Sequence, residues 1–290
     1  MENHPNLADY ASFRLLLEFD PKKEGFVSKA RFHKAMYELH TRLKKRKVDI
    51  HLPWRWYIYG PVVELDLIDP GIFSIVPYVS ASQVNEDSAR VFFDKEPTTT
   101  GLDKNTIAAI NYETKKLRGE FLGTKKLIEC AYDRAPIPFI SVLRSFDEWI
   151  HRNPIQQNAN FINELEGFKS SLVGKYPGQE LPETSELNLR VLDLVKHYLM
   201  LEDEGQAAEV SSEYRKVMAL GFSSRYFENI PMDRVMCYRS RFLSEAERLD
   251  SYLFSREFRL FSSLPTKEGP RSKELGMLLA ASCQSRNEVL

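Results

Sequence analysis

The 290-residue sequence has only three cysteines, Cys130, Cys237 and Cys283, odd in number and far apart. No pair has the close spacing of a zinc site, and they suggest no framework of bridges. Reduced thiols in a reducing compartment are the expectation. An excess of one charge is also lacking, because 40 Lys and Arg oppose 41 Asp and Glu for a formal net charge of −1. Such a balance supplies no overall field to draw in nucleic acid or an anionic membrane. No apolar run nears the roughly eighteen residues needed to cross a bilayer. The opening MENHPNLADY lacks the basic and apolar regions of a secretion signal. A cytoplasmic protein with no membrane contact is expected.

Chemistry-bearing patterns are scarce too. Gly60, Gly71 and Gly101 stand alone, so no glycine-rich loop cradles a phosphate. No nucleophile elbow occurs. The histidines are scattered, and although His33 and His40 are spaced to share a helix face, no second ligand pair lies near them. Asp20–Arg31 has Asp20, Gly25, Val27 and Ser28 where a calcium loop wants them, but Lys22 and Arg31 occupy ligand positions and would repel the ion. That segment reads as a capped turn between helices. No catalytic residue, metal or cofactor is expected from these patterns, and a hydrolase whose carboxylates or histidines meet only in space stays open.

What is present is ordinary globular material, 43% hydrophobic and 28% charged, long enough for one to two domains. An apolar stripe of Tyr10, Phe13, Leu16 and Leu17 predicts a helix over Leu7–Phe19. Phe32, Met36, Leu39 and Leu43 predict a second one, capped by Ser28 and ending in the cations Arg42, Lys44, Lys45, Arg46 and Lys47. Trp54, Trp56 and Ile58 then alternate with Arg55, Tyr57 and Tyr59 up to Gly60-Pro61, as in a short strand. Residues 62–80 read as a connection with short strand-like pieces. Helical patterning returns over Leu102–Phe121 and Thr124–Asp133, and dominates from Ser141 onward. Later helices are expected near Gly205–Leu220, Pro231–Leu260 and Lys273–Ser282. Tyr176–Ser185, with two prolines and a glycine, reads as the best linker. The fold expected is mainly α, with a small β element near residues 54–80 and a helical C-terminal half. The expected domains are 1–145 and 146–290.

One combination is more specific than composition. A helix carrying Lys34 and Tyr37 precedes an aromatic segment, Trp54 to Tyr59, closed by Tyr59-Gly60-Pro61-Val62. Farther on, Thr124–Pro136 forms a short helix with a terminal Ala-Pro. Over about residues 10–145 this resembles the Panacea family, the SocA-like antitoxin and proteolytic-adaptor domains. In that family a Lys-x-x-Tyr helix precedes an aromatic segment ending in Tyr-Gly-Pro. The chain departs from the pattern in a long strand-like loop, Leu65–Lys95, and in a helical half without counterpart. The resemblance implies a non-enzymatic protein-interaction module that binds and neutralises or delivers a partner, a toxin or a protease client. Lys34, Tyr37, Trp54, Trp56 and Tyr59 are its candidate partner-binding residues, and the C-terminal helices are the natural place for a partner-specific surface. Association with a second copy of the chain stays open. The alternative is a nucleic-acid-binding regulator using the basic and aromatic stretch Arg42–Tyr59, where rings would stack on bases and cations pair with phosphates.

Overall fold

A computed structural model describes residues 7–20, 27–57, 59–68, 73–80, 83–93, 96–121, 123–152, 159–201 and 203–263. The expected Lys273–Ser282 helix and much of the Asp20–Arg31 turn lie outside them. The described chain is mainly α with a small β element.

In chain order the elements begin with helices α1 (Leu7–Phe19) and α2 (Lys29–Lys45), then strands β1 (Trp54–Tyr57), β2 (Gly60–Val63), β3 (Phe73–Ser80) and β4 (Gln83–Phe93). Helices α3 (Lys104–Glu120), α4 (Thr124–Tyr132), α5 (Pro138–Arg152), α6 (Ala159–Gly174), α7 (Ser185–Met200) and α8 (Glu204–Arg225) follow. A two-residue strand, β5 (Phe227–Glu228), leads into the long helix α9 (Met232–Ser263).

Local chemistry sets several of these boundaries. Ser28 Oγ accepts from the Arg31 N–H at 3.3 Å, and Asp103 accepts from Thr106 N at 2.8 Å, so each caps a free donor at a helix start. Pro138 opens α5, the helix position where a missing N–H costs nothing.

The chain divides into two compact units, one of Met1–Arg144 with Met218–Ser240, the other of Ser145–Val217 with Arg241–Leu290. The first thus takes a late segment that the sequence reading had placed with the second half. That segment supplies β5, which pairs antiparallel with β1 and completes a three-stranded sheet in the order β2-β1-β5. A separate hairpin joins β3 to β4, so the β element runs past residue 80 to Phe93. The pairing of β5 with β1 is long-range, whereas the expectation rested on local pattern alone.

Helix α2 is the hub of the first unit, packing against α1, α3, α4, β2 and β4. Phe32, Met36, Leu39 and Leu43 point into a core with Leu15, Leu16, Ile110 and Leu117, all fully or nearly fully buried. Each such side chain contributes about 1.5–3 kcal/mol by leaving water.

The second unit has a core of its own. Trp149 stacks on Phe161 with ring centroids 4.9 Å apart, and Phe146 lies 5.6 Å from Phe168. The buried Tyr214 hydroxyl donates to Asn188 Oδ1 at 2.7 Å. Arg190 grips Glu257 through two bonds of 2.9 Å, fastening α7 to α9. Tyr176–Ser185 is an ordered corner within this unit, where Tyr176 OH reaches Leu181 O at 2.8 Å and Thr184 Oγ1 at 2.5 Å. Two prolines and a glycine made it resemble a linker, yet Leu181 and Thr184 are fully buried there.

Candidate functional site

Besides its apolar stripe, α2 buries a second face that carries His33, Lys34, Tyr37, Glu38 and His40. This polar face lies beneath the β1–β2 hairpin and α4, so the first unit holds ionisable groups where a helix of this pattern ordinarily meets solvent.

The hairpin is seated by aromatic rings. Trp56 is wholly buried, edge-on to Tyr37 at 6.0 Å and to Tyr132 of α4 at 6.1 Å. Tyr37 also meets the half-buried Trp54 at 4.7 Å, inclined 70°. Edge-to-face pairs of this kind add about 0.5–1.5 kcal/mol beyond the area they bury. Arg144 lies 4.1 Å over the outer partner, Tyr132, a cation–π contact.

The turn itself depends on Gly60, whose φ is +100°. A Cβ there would stand 3.3 Å from Lys34 Cε, 3.7 Å from Lys34 Nζ and 4.0 Å from Tyr132 Cε2. Glycine therefore serves twice, in backbone angle and in the close approach of the lysine stem. Lys34 is 4% exposed and lies under the turn rather than on a surface. Tyr59, one residue earlier, is 50% exposed, with its ring 6.2 Å from that of the half-buried Tyr57.

Two carboxylates complete the seat. Glu38, nearly buried, accepts from Arg42 Nε at 2.7 Å, from Arg134 beyond the end of α4, and from the Cys130 thiol at 3.6 Å. Burial and then the Glu38 charge push that thiol up, away from the reactive thiolate. Glu64, just after β2, accepts from Arg55, from Tyr238 OH at 2.9 Å and from Arg234 at 3.3 Å. Arg55 in turn donates to Ser223 Oγ at 2.6 Å and lies 4.6 Å over the Tyr238 ring. The residues that clasp the hairpin from this side all come from Met218–Ser240.

The five candidate residues thus meet in one place but divide by exposure. Lys34, Tyr37 and Trp56 are buried supports, Trp54 is half-buried, and Tyr59 is presented to solvent. Trp56 offers no surface to a partner in this conformation, because the alternation that marked it as a strand residue turns its ring inward. Sequence reasoning missed Glu38 and Glu64, which carry no motif. It weighed His33 only as a metal ligand and held Tyr132 only within the Thr124–Pro136 helix, and all four acquire their setting through tertiary contact.

The stretch Arg42–Tyr59 is also placed. Arg42 engages Glu38 and Glu120, Arg46 engages Glu113 at 2.5 Å, and Lys44 engages Glu228. Carboxylates from other elements therefore face three of its cations, and its two tryptophans are half and wholly buried. Among the described residues no group of three or more His, Cys, Asp or Glu is placed to hold a metal ion. No helix among them is long and apolar enough to cross a membrane.

Compared with models of known families, with curated proteins and with solved structures, the chain finds no match in any of the three.

Proposed function

We propose that this chain is a non-enzymatic protein-interaction module of the cytoplasm, antitoxin-like or proteolytic-adaptor-like, whose partner is a toxin or a protease client. The observation that carries the reading is the presentation of Tyr59. Its ring is half exposed on a turn fixed by Gly60, Lys34, Trp56 and Tyr132. An aromatic held on a rigid support, with Tyr57 beside it, has the character of an interface anchor. Little conformational freedom remains to be lost on binding, and tyrosine is enriched among residues that dominate binding energy.

The resemblance to the Panacea domains supports the same reading, since its Lys-x-x-Tyr and Tyr-Gly-Pro motifs converge here on one turn. The carboxylates facing Arg42, Lys44 and Arg46, with Trp56 wholly buried and Trp54 half-buried, lend less support to nucleic-acid binding. In the second unit Leu243, Phe254 and Phe258 are exposed along α9, a surface of the sort a specific partner would cover.

Affinity purification of the tagged chain from its cell of origin, with and without nuclease, tests the reading. A stoichiometric protein that survives nuclease is the expected result. Material lost entirely on nuclease treatment would move the function to nucleic acid.

A further inference from the structure

The outer edge of β2 is held to α2 by a bond of unusual chemistry. Val63 N–H points away from β1 and donates to His33 Nδ1 at 3.2 Å, within the buried interior. The donor is an amide, which has no choice of role, so Nδ1 must be an unprotonated acceptor and the ring must be neutral. The other ring nitrogen, Nε2, is buried and finds no hydrogen-bond partner among the described residues.

We infer that His33 is an acid-sensitive latch, whose protonation removes the acceptor from Val63 N–H and frees the β1–β2 hairpin from α2. The proton that closes Nδ1 is taken from solvent, and no bond other than the hydrogen bond changes. An imidazolium at this position donates from both nitrogens, so Val63 N–H would meet a second donor instead of an acceptor.

The surroundings sharpen the response. Among the described residues the charges acting on the ring are cations: Lys34 and Lys29 from its own helix and Arg55 from β1. β2 carries no titratable side chain, and Glu64 beyond it is engaged by Arg55, Arg234 and Tyr238. Burial first, and those cations next, hold the imidazole well below its usual range. An unfolded or released His33 takes up its proton near pH ~6.5, and the latched one only far lower. The latch is therefore at full strength above about pH 6.5 and weakens as pH falls below it. The open population rises by about tenfold per pH unit until the latched ring itself titrates.

The inference does not depend on the partner reading, because its test uses the full chain alone. Amide hydrogen exchange at Val63, corrected for intrinsic rate, is compared at pH 6.5 and 5.5 in wild type and in His33→Asn. Asparagine Oδ1 supplies an acceptor near the place of Nδ1 and does not titrate. Protection of Val63 is expected to fall about fivefold more in wild type than in His33→Asn. His40, which burial also holds low, is common to both chains and cancels in the comparison. Equal loss in the two chains would overturn the latch. Should His33→Asn not fold, NMR of wild type decides: the Val63 amide is expected to shift together with His33 ring protonation. Titration of that ring near pH ~6.5 with the Val63 amide unmoved would also overturn it.

Discussion

A chain ending at residue 145 is expected to fail to form the first unit, although it contains every motif of the family resemblance. Such a chain lacks β5, whose neighbour Tyr226 supplies the carbonyl that accepts from Trp56 N–H at 2.7 Å. It also lacks Ser223, whose hydroxyl donates to Trp56 O at 3.0 Å, and Asn229, which donates to Leu52 O at 3.2 Å. Glu64 and Arg55 would be left half-buried without Arg234, Tyr238 and Ser223. Each lost hydrogen bond costs about 0.5–1.5 kcal/mol, and more where a charged group is left unpaired. Phe222, fully buried and 6.4 Å from Phe139, is removed as well, at about 3–5 kcal/mol by comparison with large-to-small core changes. Together these approach the roughly 5–15 kcal/mol that separates a folded domain from its unfolded chain. Near-ultraviolet circular dichroism and amide dispersion of residues 1–145 read the outcome. A cooperative transition with the spectrum of the intact first unit would show that Met218–Ser240 only decorates it.

Trp56→Ala is expected to be the most damaging single change in the hairpin. The substitution empties a fully buried site between Tyr37 and Tyr132, and truncations of this type cost about 3–5 kcal/mol. Trp56→Phe keeps a ring against both tyrosines and should cost markedly less. Denaturant titration of both variants gives the comparison. If Trp56→Ala lost under about 1 kcal/mol, the turn would not depend on this ring, and the rigid presentation of Tyr59 would lose its physical basis.

The parts of this fold that were legible in the sequence are those set by local rules. Helix α1 and the start of α2 follow from apolar spacing and from Ser28, which caps in the structure as its position suggests. Helix α5 begins at Pro138, three residues before the Ser141 from which helical pattern dominates, because a proline at the first helical position shows no apolar spacing of its own. β5 was not legible, because two residues carry no periodicity and gain strand character only from pairing with Trp54 and Arg55. The same holds for Tyr176–Ser185, where a buried Leu181 outweighs the composition of a linker.

At the candidate site the split has the same cause. Lys34, Tyr37 and the Tyr59-Gly60-Pro61 turn were found because they form short spaced motifs. Their roles were not found, since a lysine on the polar face of a helix reads as solvated until a hairpin is laid over it. Glu38 shows the point most plainly: its partners Cys130 and Arg134 are more than ninety residues away in sequence. The cations of Arg42–Lys47 were visible, but the glutamates that meet them, Glu113, Glu120 and Glu228, belong to α3 and β5.

The most direct test of the central claim is partner capture by Tyr59→Ala beside wild type, with thermal unfolding of both. Tyr59 is half exposed, so its loss is expected to leave the melting temperature nearly unchanged. Removal of a binding anchor costs about 2 kcal/mol or more, which reduces capture roughly thirtyfold. Undiminished capture by a stably folded Tyr59→Ala chain would contradict the account and place the partner surface elsewhere on the protein.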